Sequence, residues 1–345
     1  MIPIWVLTGF LGSGKTTLLG RLLKTPGFSR TAVIINEFGE IGLDHDLIET
    51  SDESFLALQT GCLCCTVRDD LVLTLEDLLR RRAAGTAPPF ERVVIETSGL
   101  ADPAPILHAL MMGPTFAGQL FVAGVVTTVD AVNGWRTLDQ HKEAIKQVAV
   151  ADRLLLTKTD LLAMPATALT VRLAALNPAA QLLSAAFGDV EANTLFDLAC
   201  SAKAPIELAR WPATSAPDQS RRSEHGHDAE IVSLAVVRET PMRAVGLTLL
   251  LEVLAEHCGG DLLRLKGLVN IAECPERPAV IHGVQHVFHP PAWLARWPSQ
   301  DHRSRLVLIG RNLRLAWIEA LLTALELEVA EVHGGAGKLA TTAEE

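Results

Sequence analysis

No stretch of this 345-residue chain approaches the ~18 uninterrupted apolar residues of a membrane-spanning helix; the longest candidates surround Leu120–Val129 and Val245–Leu251. No membrane partner is expected. Basic residues are outnumbered, 30 Lys and Arg against 40 Asp and Glu, for a formal net charge of -10. Such a chain has no overall positive field to draw in phosphate backbones, so nucleic acid is not an expected partner. Cysteine is scarce as well. Six in 345 residues are too few for a disulfide scaffold, and three of them crowd into Cys62-Leu63-Cys64-Cys65, where near neighbours cannot bridge without strain. The start, Met1-Ile2-Pro3-Ile4-Trp5-Val6-Leu7-Thr8, has no basic n-region or small-residue cleavage site, so no signal peptide is expected. A reducing, cytoplasmic location follows, where a thiol cluster suits metal binding or redox chemistry better than stapling a fold.

What the chain does have is a globular balance, 49% hydrophobic and 20% charged residues, which excludes disorder as the main state. Its length predicts about two domains. Over the first 200 or so residues, short apolar runs alternate with longer amphipathic stretches, the βαβα signature of a parallel sheet flanked by helices. Strands are expected at Ile4–Thr8, Ala32–Asn36, Arg92–Thr97, Leu120–Val129, Arg153–Thr157 and Gln181–Ala185. Leu71, Leu75, Leu78 and Leu79 recur at helical spacing, predicting a helix over about Arg68–Ala84. Between Ala209 and Asp228 the pattern dissolves into Pro, Ser and charge, marking a linker. The domain boundaries are therefore set at 1–208, a linker at 209–228, a smaller α/β C-terminal domain at 229–330 and a fraying tail from 331 to 345. In the smaller domain, strands are expected near Ile231–Val237, Leu268–Cys274, Ala279–Phe288 and Arg305–Ile309, with helices near Met242–His257 and Asn312–Leu325.

Gly9-Phe10-Leu11-Gly12-Ser13-Gly14-Lys15-Thr16-Thr17 has the spacing of a phosphate loop, and it stands between an expected strand and an expected helix. This makes the first domain a P-loop NTPase. Glycines let the backbone turn its N–H groups inward, the helix N-terminus adds positive potential, Lys15 reaches the outer phosphates and Thr16 offers a hydroxyl to Mg2+. Val93-Val94-Ile95-Glu96-Thr97-Ser98-Gly99 reads as a second nucleotide strand. Glu96 at its tip can bind Mg2+ through water or orient the attacking water, and Gly99 can offer its N–H to the γ-phosphate. In Thr157-Lys158-Thr159-Asp160 the aspartate can accept both N–H donors of a guanine edge, which adenine does not present; Thr157 stands where guanine-specific loops usually carry Asn. GTP is the nucleotide expected.

Gly61-Cys62-Leu63-Cys64-Cys65 places three soft ligands in four residues, a set suited to Zn2+ or a neighbouring transition metal. A further ligand can come from Glu37 or Glu40, in a loop reaching Asp44, or from water. His225 and His227 in the linker could form a weak auxiliary metal site but more often such residues are a solvated loop, and His282, His286 and His289 farther on are read as edge-strand residues. Together the phosphate loop, Asn36-Glu37-Phe38-Gly39-Glu40, the Cys-Leu-Cys-Cys motif, Glu96-Thr97-Ser98-Gly99-Leu100-Ala101-Asp102-Pro103 and Thr157-Lys158-Thr159-Asp160 resemble the CobW family of metallochaperone GTPases. Arg264-Leu265-Lys266-Gly267, Gly283-Val284-Gln285 and Val307-Leu308-Ile309-Gly310 extend the resemblance into the second domain. It implies GTP hydrolysis with Mg2+, Zn2+ or Co2+ at Cys62, Cys64 and Cys65, and delivery to a client metalloprotein. A nucleotide-dependent homodimer is compatible with it. Many such relatives carry a long histidine-rich stretch after the linker; here only His225 and His227 stand there. Two other readings share the phosphate loop: a small-molecule kinase, which would need neither the cysteines nor Asp160, and a redox or regulatory switch without metal delivery.

Overall fold

The computed structural model describes residues 1–36, 57–59, 67–112, 118–186, 189–196 and 231–340. They belong to two compact units, Met1–Ala204 and Pro205–Glu345. The first is built on a seven-stranded sheet of β1 (Ile2–Gly9), β2 (Thr31–Asn36), β3 (Ala57–Gln59), β4 (Arg92–Thr97), β5 (Leu120–Asp130), β6 (Arg153–Thr157) and β7 (Gln181–Ser184). Its order is β3-β2-β4-β1-β5-β6-β7, and every pairing is parallel. Helices cover both faces, which is why the strands read as continuous apolar runs rather than alternating ones. On one face Trp5, Leu7, Val94, Val126 and Leu155 pack against Leu18, Leu19 and Leu22 of α1 (Lys15–Leu22). On the other, Val129, Leu154 and Leu156 meet α4 (Gly134–Gln140), α5 (Lys142–Val150) and α6 (Thr167–Leu176) through Leu138, Ala144, Val148, Leu169 and Leu173.

Between these lie α2 (Val67–Ala83) and α3 (Ala104–Met112), and α7 (Ala192–Phe196) follows the last strand. In α2, Leu71, Leu75 and Leu78 are the buried stripe that helical spacing predicts. All six strands expected in this unit are present, and β3 is added at the edge beside β2; three residues are too few to leave a periodic signal.

The second unit is an antiparallel sheet in the order β11-β10-β9-β13-β8, with β12 also paired to β10. Its strands are β8 (Ile231–Arg238), β9 (Leu262–Val269), β10 (Ala279–Val284), β11 (Val287–Phe288), β12 (Ala292–Trp293) and β13 (Ser304–Arg311). Leu247, Leu250 and Leu254 of α8 (Ala244–Cys258) and Ile318 and Leu322 of α9 (Leu315–Ala340) pack on Leu234, Leu265, Ile281 and Leu308.

Two expectations are corrected here. The strand read at Leu268–Cys274 is β9 instead, displaced toward the N-terminus because Arg264 and Lys266 look solvated in the sequence yet are 7% and 1% exposed. The run Ala279–Phe288 is a hairpin, broken at Gln285, whose φ of 53° turns the chain between β10 and β11. The last helix, α9, runs through Ala340, into the segment expected as a tail from 331.

Candidate functional site

The phosphate loop leaves β1 at Gly9, whose φ of 142° and contact with Thr128 leave no room for a side chain. Gly12 (φ 69°) and Gly14 (φ 90°) also take the left-handed region that L residues avoid, and Gly14 caps α1. Lys15, only 8% exposed, folds back over the loop and donates from Nζ to the carbonyls of Gly9 (2.9 Å) and Phe10 (3.4 Å). Thr16 Oγ1 donates to Glu96 Oε1 at 2.8 Å. The two residues expected at Mg2+, eighty positions apart in sequence, are thus adjacent, because β1 and β4 pair with Leu7 opposite Glu96.

The loop is braced from the neighbouring strands. Ser13 Oγ and Thr128 Oγ1 are 2.7 Å apart, and Thr157 Oγ1 donates to Ser13 O at 2.7 Å. Thr157, expected at the guanine, therefore directs its hydroxyl at the phosphate loop and is 4% exposed. Lys158 is left-handed (φ 58°) and its Nζ lies 2.8 Å from Asp130 Oδ2. Burial opposes ionisation of Asp130, but Lys158, the Asn133 side chain and the amides of Asn133 and Val132 outweigh it and hold the carboxyl below its ordinary value. Asp160 is half-buried in the short turn Thr159–Leu161, and Thr17 is exposed on α1.

Gly99 packs directly on the phosphate loop: a Cβ there would lie 2.8 Å from both Leu11 Cα and Leu11 N. Behind it, Gln147 Nε2 donates to Gly99 O (3.2 Å) and Ala101 O (3.1 Å). A cavity of about 250 Å³ adjoins the loop, lined by Phe10–Ser13, Thr127–Asp130, Gln147 and Lys158 among others.

Asp130, Thr128 and Gln147 escape the sequence reading. Asp130 shares the signal that exposes Glu96, an apolar strand ending in an acid; Thr128 and Gln147 have none, being ordinary strand and helix positions. Cys62, Cys64, Cys65, Glu37, Glu40 and Asp44 lie outside the described residues, as do His225 and His227. Among the described residues no group of three or more His, Cys, Asp and Glu is arranged to hold a metal, His282, His286 and His289 included. No helix among them is long and apolar enough to cross a membrane.

A phosphate loop on a parallel sheet, joined to a smaller antiparallel domain, defines the class, and sequence comparison agrees with it. Residues 3–184 match the CobW/HypB/UreG nucleotide-binding domain and residues 231–326 the cobalamin synthesis protein cobW C-terminal domain. The chain belongs to the CobW/HypB/UreG family. It is 33% identical to the zinc chaperone YjiA of Escherichia coli over 324 residues, covering 94% of this chain and 98% of the relative. It is also 33% identical, over 90% of its length and 83% of the relative's, to the zinc-regulated GTPase metalloprotein activator 1 of Schizosaccharomyces pombe. The crystal structure of Zn(II)-bound YjiA GTPase from E. coli superposes with a TM-score of 0.69 at 28% identity, covering 94% of this chain and 98% of that one.

Proposed function

We propose that this protein is a GTP-hydrolysing metallochaperone. It takes Zn2+ as cargo at Cys62, Cys64 and Cys65, with Glu37 as a further ligand, and passes it to a client metalloprotein. Nucleotide state sets its metal affinity. The nucleotide half is carried by one observation, the Thr16 hydroxyl 2.8 Å from the Glu96 carboxylate beside Lys15. The cargo half is supported by relatives named zinc chaperones and a zinc-regulated GTPase activator, matched over nearly the whole chain. Co2+ is the other metal such a thiolate set admits.

Hard oxygen donors at Thr16 and Glu96 fit Mg2+, which when bound neutralises charge on the phosphate oxygens. The rest falls to the chain itself. The amides of Gly12, Ser13, Gly14, Lys15, Thr16 and Thr17 cradle the phosphates, and Lys15 exchanges its carbonyl contacts for phosphate oxygens. Glu96, 3% exposed, orients the attacking water, and the Gly99 N–H faces the γ-phosphate. Asp160 accepts from the guanine edge, Lys158 flanks the base, and Thr157 keeps the phosphate loop in place. The working form is a nucleotide-dependent homodimer in the cytoplasm.

The deciding experiment is Zn2+ affinity against a competing chelator, with GDP or with a non-hydrolysable GTP analogue and Mg2+, for the wild type and a Cys62→Ser, Cys64→Ser, Cys65→Ser variant. Expected are tight binding that needs the cysteines and a shift between nucleotides. By linkage, Zn2+ must then change nucleotide affinity by the same factor. Cysteine-independent binding, or none, refutes the chaperone reading. Transfer of phosphate to a metabolite rather than water would identify a kinase.

A further inference from the structure

The segment between β4 and α3 carries Gly99, and α5 grips it at both ends. Gln147 is 1% exposed, and a carboxamide so deeply buried is costly unless it is hydrogen-bonded. Its Nε2 spends both N–H groups on the carbonyls of Gly99 and Ala101, at 3.2 and 3.1 Å. The preceding residue, Lys146, places Nζ 2.6 Å from Asp102 Oδ2, while Asp102 Oδ1 accepts the Ala104 amide at the start of α3. The Gln147 backbone carbonyl in turn accepts from Thr127 Oγ1 at 2.8 Å, which ties α5 to β5. Gly99 is therefore held on two sides: Gln147 on its carbonyl and the Leu11 backbone against its Cα. Gln147 also lines the cavity that Phe10–Ser13 border, so one side chain adjoins both nucleotide loops.

From this geometry we infer that Gln147 is a positioning residue for nucleotide discrimination, fixing the Gly99–Leu100 peptide by its carbonyl and so, through the Gly99 Cα, the adjoining Gly99 N–H that meets the γ-phosphate. The inference rests on the GTPase reading and names the residue that makes its active site sense a third phosphate. The donor character is what matters. Both N–H groups are engaged on the segment's carbonyls, so it is the two donors that hold it. A GDP-bound site does not use the Gly99 N–H, so losing the grip should weaken GTP selectively.

The test compares the wild type with Gln147→Leu, Gln147→Glu and Lys146→Met, reading affinity for GDP and for a non-hydrolysable GTP analogue with Mg2+, steady-state GTP hydrolysis and thermal melting. Gln147→Leu should keep GDP affinity within about twofold and lose about tenfold for the analogue, with kcat falling at least as far. Lys146→Met, which leaves the buried carboxamide in place, should move the same ratio in the same direction by less. Gln147→Glu should be the worst near neutral pH, where a carboxylate faces two carbonyl oxygens. It should recover in part as pH falls, because a protonated carboxyl donates one hydrogen bond where the amide gave two. A merely structural role would give the same return in thermal melting but would leave the analogue-to-GDP affinity ratio unmoved at every pH. An unchanged analogue-to-GDP ratio in Gln147→Leu, or equal losses for both nucleotides, overturns the inference. Absence of GTP hydrolysis in the wild type is a separate outcome that removes the GTPase reading, and this inference with it.

Discussion

Gly99→Ala tests the junction between the two nucleotide loops most directly. The added Cβ would lie 2.7 Å from Leu11 Cδ2 and 2.8 Å from Leu11 Cα and N, where carbon atoms normally rest at about 3.5–4.0 Å. Leu11 Cδ2 can swing away, since the side chain is 53% exposed, but Cα and N belong to the phosphate loop and move only with it. One loop must therefore shift by nearly an ångström. Overpacking of this kind costs about 1–3 kcal/mol, which in a unit of this size lowers Tm by roughly 2–12 °C. The larger effect is on chemistry, because a misplacement of about 1 Å can cost up to ~100-fold in rate. Gly118→Ala is the control: its φ of 85° strains any side chain, but nothing lies within 4 Å. It should cost about 1–2 kcal/mol and leave kcat unchanged. Circular dichroism melting and a phosphate-release assay read both variants. If Gly99→Ala melts and turns over like the wild type, the packing of Gly99 on Leu11 is not what sets the loops.

Two further outcomes follow from the same contacts. Thr157→Val keeps the side chain's shape but leaves Ser13 O without its 2.7 Å donor; a loss of about 1–3 kcal/mol in urea unfolding is expected, with weaker binding of GDP and GTP alike and no change in guanine preference. In the second unit, the Arg303 guanidinium, 2.8 Å away, holds the Asp301 carboxyl down to about 2 against the opposing effect of burial, with the Arg303 amide and Arg305 adding to it. A folded-state value below the ordinary 3.8 means the stabilisation is complete above that pH and is lost as pH falls through about 2. Asp301→Asn should therefore cost about 1 kcal/mol at neutral pH once solvent screening is allowed for, and progressively less as pH falls from about 4 through 2, as read by chemical denaturation across that range. A constant penalty at all pH values would refute it.

Much of the nucleotide site is legible in the linear chain because its chemistry is local. A tight turn that exposes several N–H groups needs glycines at fixed offsets, so Gly9, Gly12 and Gly14 announce the phosphate loop before any fold is known. The buried parallel sheet announces itself too, since strands covered on both faces must be apolar throughout. Glu96 shows as the acid ending such a run, and Asp130 is written the same way at the end of β5.

What the chain could not disclose depends on register and on residues brought together from afar. That Thr16 meets Glu96 follows from β1 pairing with β4 at Leu7 and Glu96, and no spacing between positions 16 and 96 encodes it. Thr157 was legible as a nucleotide-loop residue, but its hydroxyl turns to Ser13 because β6 carries it beneath the phosphate loop. Gln147 looked like any polar residue on an amphipathic helix, and only the packing of α5 over the sheet puts its carboxamide beneath Gly99. In the second unit, Arg264 and Lys266 hid β9 because charge in a sequence signals solvent, whereas tertiary packing buries both. Motif chemistry is thus written in neighbouring residues, while the contacts that aim it arise from strand order and helix packing, which couple positions more than a hundred residues apart.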